Sequence, residues 1–244
     1  MTSEQAARFE KSPYATLDFA WLVFLTAAGT ILSAFLATGL FDLTVFFSGI
    51  FCVGLTAIGR REGYLFGLYN SFSYSVLAYN NGLYGEVYLN LFFFVPTGIV
   101  GYFLWKRHTT PRQTVAMRQL TGAQRLWTVL ICIVLTVLLG LLLGLNPSQN
   151  TPFIDASTNV LSVVATFLMM WRYQEQWLLY ILLNLVTIVM WFLRVLAGGE
   201  SGDLMVLMWS FFLLNALFGY WRWHLGSRET LAVSHESHYG NSES

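Results

Sequence analysis

The chain has 244 residues, of which 56% are hydrophobic, 17% aromatic and only 11% charged, where a soluble domain carries about 25% charge. Its mean hydropathy of +0.57 requires that much of the surface meets something other than water. Thirteen basic residues balance thirteen acidic ones, so the electrostatic footprint of a nucleic-acid binder is missing.

In chain order, a polar stretch with Arg8 and Lys11 precedes a first apolar run at 17 to 38. That run is too long, and its leader too mixed, for a cleaved signal peptide. Runs at 40 to 59, 63 to 81 and 84 to 105 follow, and Cys52 sits in the second of them. A basic loop then leads to a run at 126 to 145 that holds Cys132. Runs at 153 to 171, 176 to 197 and 204 to 225 complete the series. Neither cysteine has CxxC or Cys/His spacing, which excludes a zinc motif. A polar tail from about 227 is expected to be mobile. A bilayer core of about 30 Å takes about 20 apolar residues of helix, so these runs predict an all-α membrane protein of about eight transmembrane helices. A membrane barrel would instead alternate apolar and polar in shorter pieces.

Lys and Arg are retained in cytoplasmic loops, and here they are one-sided. Arg8, Lys11, Arg60, Arg61, Lys106, Arg107, Arg112, Arg118, Arg125, Arg172, Arg222 and Arg228 fall on one side of the predicted spans, and Arg194 alone lies near the other. The opposite loops carry Asp42, Glu86, Asp155, Glu200 and Asp203. Both termini are therefore expected to be cytoplasmic.

The segment from Phe41 to Trp105 can be laid over Ile154 to Trp223: Asp42 then meets Asp155, Asn70 meets Asn184, Gly101-Tyr102 meets Gly219-Tyr220, and Trp105 meets Trp223. Each unit holds three spans with one span between them, so both enter the membrane from the same side. The expected plan is an accessory N-terminal helix plus a 3+1+3 arrangement of two parallel three-helix bundles. Its segments are a tail and accessory helix (1–39), a first repeat (40–105), a basic loop and linker helix (106–152), a second repeat (153–226) and a cytoplasmic tail (227–244). A substrate path between the bundles follows from this plan.

Amides and hydroxyls cost free energy in hydrocarbon unless paired or facing an aqueous cavity. Trp177, Tyr180 and Asn184 form W-x2-Y-x3-N, whose steps of three and four place them on one helical face, and Thr187 and Trp191 continue it. The first repeat shows Phe66, Asn70 and Ser73 in the same order. Amides with two donors and two acceptors, beside rings, suit a neutral polar group such as a ribose or a carboxamide. The same Asn, Ser and Thr side chains also serve as interhelical hydrogen-bond partners, and both readings stand. Asn215, on the last span with Trp209 and Tyr220, is a further candidate. Trp105, Trp171, Trp221 and Trp223 read as an interfacial aromatic belt. Pro96 interrupts its span and suggests a hinge, which the second repeat lacks because Leu214 takes that place. Glycines 29, 49, 54, 67, 98 and 101 read as close-packing positions.

No charged residue or histidine lies near the middle of any span. A proton relay needs such a group, so facilitated diffusion is expected; a phosphorylated ligand would call for Arg or Lys. HExxH, GxSxG and P-loop motifs are missing, and no enzyme, metal site or cofactor is expected.

At Trp177, Tyr180 and Asn184 in EQWLLYILLN, LYGEVYLNLFFFVP in the first repeat, and the G-Y-x-x-W helix endings, the chain resembles the PnuC-type bacterial nicotinamide riboside transporters, which share a SWEET-like arrangement. The resemblance covers about residues 40 to 225. It implies entry of nicotinamide riboside, a precursor of NAD, through the inner membrane down its gradient, by alternating access with trapping by a cytoplasmic riboside kinase, and a homotrimer in membrane lipid. The first repeat has Gly63 where the second has Trp177, so the aromatic wall is expected to be one-sided. A SWEET-like carrier of another vitamin or sugar, or a membrane scaffold without cargo, is the alternative.

Overall fold

The structure is a computed structural model that describes residues 14–36, 39–80, 84–146, 151–196 and 202–240. Arg8, Lys11, Glu200 and the chain's last four positions lie outside the described residues, as do the side chains of Asp42, Glu86, Trp191, Arg194 and Asp203. The helices are α1 (Ala15–Leu36), α2 (Leu40–Ala57), α3 (Glu62–Asn80), α4 (Tyr84–Leu89), a π turn (Asn90–Phe94), α5 (Val95–Arg107), α6 (Gly122–Leu143), α7 (Pro152–Met170), α8 (Gln176–Leu196) and α9 (Gly202–Gly240). Among the described residues, extended structure is limited to isolated bridges between Thr109 and Val115 and between Arg118 and Tyr173. The all-helical reading holds.

Among the described residues, four helical stretches are long and apolar enough to cross a membrane, at Ala15–Ala34, Val87–Arg107 (through α4, the π turn and α5), Gly122–Leu143 and Pro152–Met170, and Leu43–Ala57 and Gln176–Met190 are shorter apolar helices. The sequence predicts about eight spans. In α3, Asn70, Ser71, Ser73 and Ser75 stand among the apolar residues and lower its hydropathy.

The chain divides into two compact units, Met1–Ala116 and Met117–Ser244. In the first, α1 packs on α2, α2 on α3, and α3 on α4 and α5; in the second, α6 packs on α7, α7 on α8 and α8 on α9. Each unit is thus a leading helix followed by a three-helix set. The glycines do the work expected of them. A Cβ on Gly29 would strike Ile50, one on Gly54 would lie 2.8 Å from Leu25, one on Gly67 2.9 Å from Cys52, and one on Gly98 3.0 Å from Leu68.

The ends of α2 and α7 share one backbone pattern. After α2, Gly59 (φ 76°) donates its N–H to Thr56 O at 3.0 Å and Arg60 donates to Leu55 O at 2.8 Å, the paired bonds of a Schellman terminator. After α7, Arg172 (φ 66°) donates to Met169 O at 3.0 Å and Tyr173 to Leu168 O at 2.9 Å. The two terminators have the spacing that separates Asp42 from Asp155. The left-handed conformation suits glycine and costs an arginine about 1 kcal/mol. In each unit a stretch of the basic connector bonds to the terminator's carbonyl: Val115 N–H to Gly59 O at 2.9 Å in the first, Arg118 N–H to Arg172 O at 2.8 Å in the second.

Connector residues 117 to 125 are fastened to the α7–α8 turn and to α9 of the second unit. Leu120 N–H donates to the buried Glu175 carboxylate at 3.0 Å, and the Arg125 guanidinium reaches the same carboxylate at 2.9 Å. Gln119 Nε2 donates to Ser227 Oγ at 2.7 Å, and Ser227 Oγ donates to Gln174 Oε1 at 3.0 Å. The Arg118 guanidinium lies 4.5 Å from the Tyr173 ring centroid. Partial burial first, and the nearby Arg118 second, pull the pKa of Arg172 down from the usual arginine range. Thr121 and Gln124 form a reciprocal capping box that starts α6. The last helix does not stop near 225: α9 runs to Gly240 with Ser227 buried, so the described part of the expected mobile tail is helical.

Pro96 has no N–H for the carbonyl of Phe92, and the turn before it is wound as a π segment in which Val95 N–H bonds to Asn90 O. Thr97 Oγ1 donates to Phe93 O at 2.6 Å. The interruption expected at Pro96 is therefore a local change of winding; α9, with Leu214 in the corresponding place, has no such break.

Candidate functional site

In the second unit, α8 carries Trp177, Tyr180, Asn184 and Thr187 along one face, as their spacing requires. Trp177 is 3% exposed. Its ring lies across Gly219 of α9, where a Cβ would come within 2.7 Å of the indole, and it sits 6.2 Å from Trp223 and 6.0 Å from Tyr180, centroid to centroid. Tyr180 Oη is 3.5 Å from Thr166 Oγ1 on α7. Thr187 Oγ1 donates back to Leu183 O at 2.9 Å, so its hydroxyl proton is used within α8. Asn215 of α9 is buried.

Asn184 is 4% exposed, and among the described residues its amide makes no hydrogen bond. A buried amide in this state is uncommon, and its four hydrogen-bonding positions are available to a ligand.

In the first unit the counterpart behaves differently. Asn70 Nδ2 donates to Val45 O at 2.6 Å and to Ser48 Oγ at 3.1 Å, both on α2. Gly49 makes room for it, since a Cβ there would lie 3.3 Å from Nδ2. Asn70 Nδ2 thus links α3 to α2, as the interhelical reading of its type allows. Ser73 Oγ donates to Tyr69 O at 2.8 Å within α3, and Phe66 lies 5.3 Å from Phe51, centroid to centroid. Phe66 alone of these three presents a substantially exposed side chain.

Two sequence expectations are corrected. Gly63 is not the packing counterpart of Trp177. Tyr64 is: it lies against Gly101 and stands 5.0 Å, edge to face, from Trp105, as Trp177 lies against Gly219 and Trp223. Tyr64 follows Gly59 by the same five residues as Trp177 follows Arg172, and the overlay of Asn70 on Asn184, one residue out of that register, sets Gly63 against Trp177 instead. Trp105 and Trp223 are not belt residues either; both are fully buried, because each packs on the ring that crosses its helix's glycine. Trp171 and Trp221 are exposed, as a belt requires.

Sequence reasoning missed Thr166 and Gln176. Gln176 is fully buried and stands one helical turn before Tyr180 on the same face; that step of four was available in EQWLLYILLN but reads there as a helix boundary. Among the described residues no cluster of His, Cys, Asp or Glu could hold a metal ion, and the α8 face is uncharged from Gln176 to Thr187.

The chain matches the family described as nicotinamide mononucleotide transporter over residues 39–225. It belongs to that family. Among its relatives is the nicotinamide riboside transporter PnuC of Neisseria mucosa, 36% identical over 182 residues that make up 72% of this chain and 68% of that protein. The PnuC of Haemophilus influenzae is 32% identical over 179 residues, 72% of this chain and 75% of that protein. Among solved structures, the crystal structure of the vitamin B3 transporter PnuC superposes with a TM-score of 0.74 at 29% identity, covering 94% of this chain and all of that one. The chain is accordingly a multi-pass membrane protein of a PnuC-type transporter family, and α8, with its unengaged amide at Asn184, falls inside the matched region.

Proposed function

We propose that this chain carries nicotinamide riboside across the bacterial inner membrane by facilitated diffusion with alternating access. The observation that carries the reading is the buried, unengaged Asn184 amide on an uncharged face that also bears Tyr180 and Trp177. Nicotinamide riboside has a permanently cationic pyridinium, a carboxamide and ribose hydroxyls. Aromatic faces attract such a cation by about 0.5–2 kcal/mol, and an asparagine pairs with an amide or a hydroxyl. The names of the relatives support the same cargo.

The family's description names the mononucleotide, and the chemistry of this face favours the riboside. A phosphate carries up to two negative charges at neutral pH, and its burial requires cationic partners. The face from Gln176 to Thr187 supplies none. Trapping of the entered riboside by a cytoplasmic kinase, a homotrimeric assembly and cytoplasmic termini belong to the same reading; the one-sided basic loops support the orientation.

Influx of labelled solute into liposomes containing the purified protein tests it. Riboside enters down its gradient at the same rate with and without a pH gradient, while mononucleotide, glucose and thiamine do not enter faster than in empty liposomes. Equal entry of riboside and mononucleotide, or a requirement for a proton gradient, would overturn the proposal.

A further inference from the structure

Gln176 is the first residue of α8 and is 0% exposed. Both its amide atoms, Nε2 and Oε1, are buried without a hydrogen-bond partner, and so is the indole Nε1 of Trp177 beside it. Buried polar atoms in native proteins are overwhelmingly paired, because a lost bond to water must be replaced. Two neighbouring residues with three unmatched polar atoms therefore mark a place where something polar is received. The helical steps from Gln176 to Tyr180, Asn184 and Thr187 keep this place on the candidate face, at its N-terminal end.

The chemistry of the unmatched atoms narrows the occupant. A glutamine amide offers one donor edge and one acceptor edge side by side. A primary carboxamide offers the reciprocal pair, so the two groups satisfy each other in one planar contact. A carboxylate has no proton for Oε1, and a hydroxyl meets one edge at a time. We infer that Gln176 is a specificity-determining residue that clasps the primary carboxamide of the transported solute, its Nε2 donating to the ligand carbonyl and its Oε1 accepting from the ligand NH2. This inference rests on the riboside reading above. Because the amide is fully enclosed, the clasp forms with the solute occluded by the second unit's helices.

A double-mutant cycle between protein and ligand tests it. Binding of nicotinamide riboside and of N-ribosylpyridinium, which lacks only the carboxamide, is measured by calorimetry on the purified full-length protein and on Gln176→Met. In the unaltered protein the carboxamide strengthens binding about tenfold, the worth of two paired hydrogen bonds. In Gln176→Met the two ligands bind equally. Weakening of both ligands by the same factor, with the tenfold preference kept, shows a glutamine that serves only packing or an enclosed water, and overturns the inference. Gln176→Asn, whose amide is withdrawn by one methylene, gives the same comparison if the methionine variant does not fold. Failure of the unaltered protein to bind either ribosyl ligand would instead remove the riboside reading itself.

Discussion

Asn70 and Asn184, paired when the two segments are overlaid, differ in their hydrogen bonding. The Asn70 amide bridges α3 to the Val45 carbonyl and the Ser48 hydroxyl, and its loss strands these groups in a low-dielectric setting. Removing one partner of a buried hydrogen bond costs about 1–3 kcal/mol, so Asn70→Ala lowers the thermal stability of the purified protein while the riboside Kd changes little. Among the described residues Asn184 has no bond to lose. Asn184→Ala leaves stability within about 1 kcal/mol, set by a small cavity, and weakens riboside binding about tenfold or more. Calorimetry of binding and a thermal melt on each variant read the two quantities separately. The opposite pattern, Asn184 structural and Asn70 binding, would remove the assignment. This division was not legible in the sequence, because each is an asparagine one helical turn after an aromatic residue, Phe66 or Tyr180; what separates them is whether a neighbouring backbone carbonyl and hydroxyl come within reach.

At the scale of elements, each unit fixes its central helix by laying a ring across a glycine of the following helix: Tyr64 over Gly101, Trp177 over Gly219. Close approach is possible only because the glycine has no Cβ. An aromatic ring cannot bend away as a lysine tip can, so Gly219→Ala forces a backbone shift and costs about 1–3 kcal/mol of overpacking. Gly101→Ala is expected to do the same in the first unit. Thermal melts of the two variants check this, and full stability in either would show that the ring does not lock its helix. The glycine and tryptophan of these contacts were readable as recurring G-Y-x-x-W endings. Their tyrosine partner was not, because Asn70 follows Tyr64 by six residues and Asn184 follows Trp177 by seven, so an overlay of the two asparagines sets Gly63 against Trp177. Helix existence followed directly from apolar length at α1, α6 and α7. The end of α9 did not, since the polar sequence after 225 carries no breaker strong enough to stop a helix whose Ser227 is tied to Gln174 and Gln119.

For the molecule as a whole, the decisive property is the lack of charge in the interior of its spans. Nicotinamide riboside is a fixed cation. A carrier that offers only rings, amides and hydroxyls neither neutralises the cation nor exchanges it for a proton, so each turnover moves one positive charge. The membrane potential then acts on the cargo with about 2.3 kcal/mol per 100 mV, equivalent to roughly fiftyfold accumulation at equilibrium. Liposomes holding an inside-negative potassium diffusion potential of about 100 mV should therefore concentrate labelled riboside by that order, and collapse of the potential should release it. The accumulation ratio should follow the imposed potential and ignore a pH gradient. A ratio that stays at unity under an inside-negative potential would mean that a counter-charge travels with the riboside, and a charged partner would then have to be found outside the second unit's face, since the sequence from Gln176 to Thr187 has none.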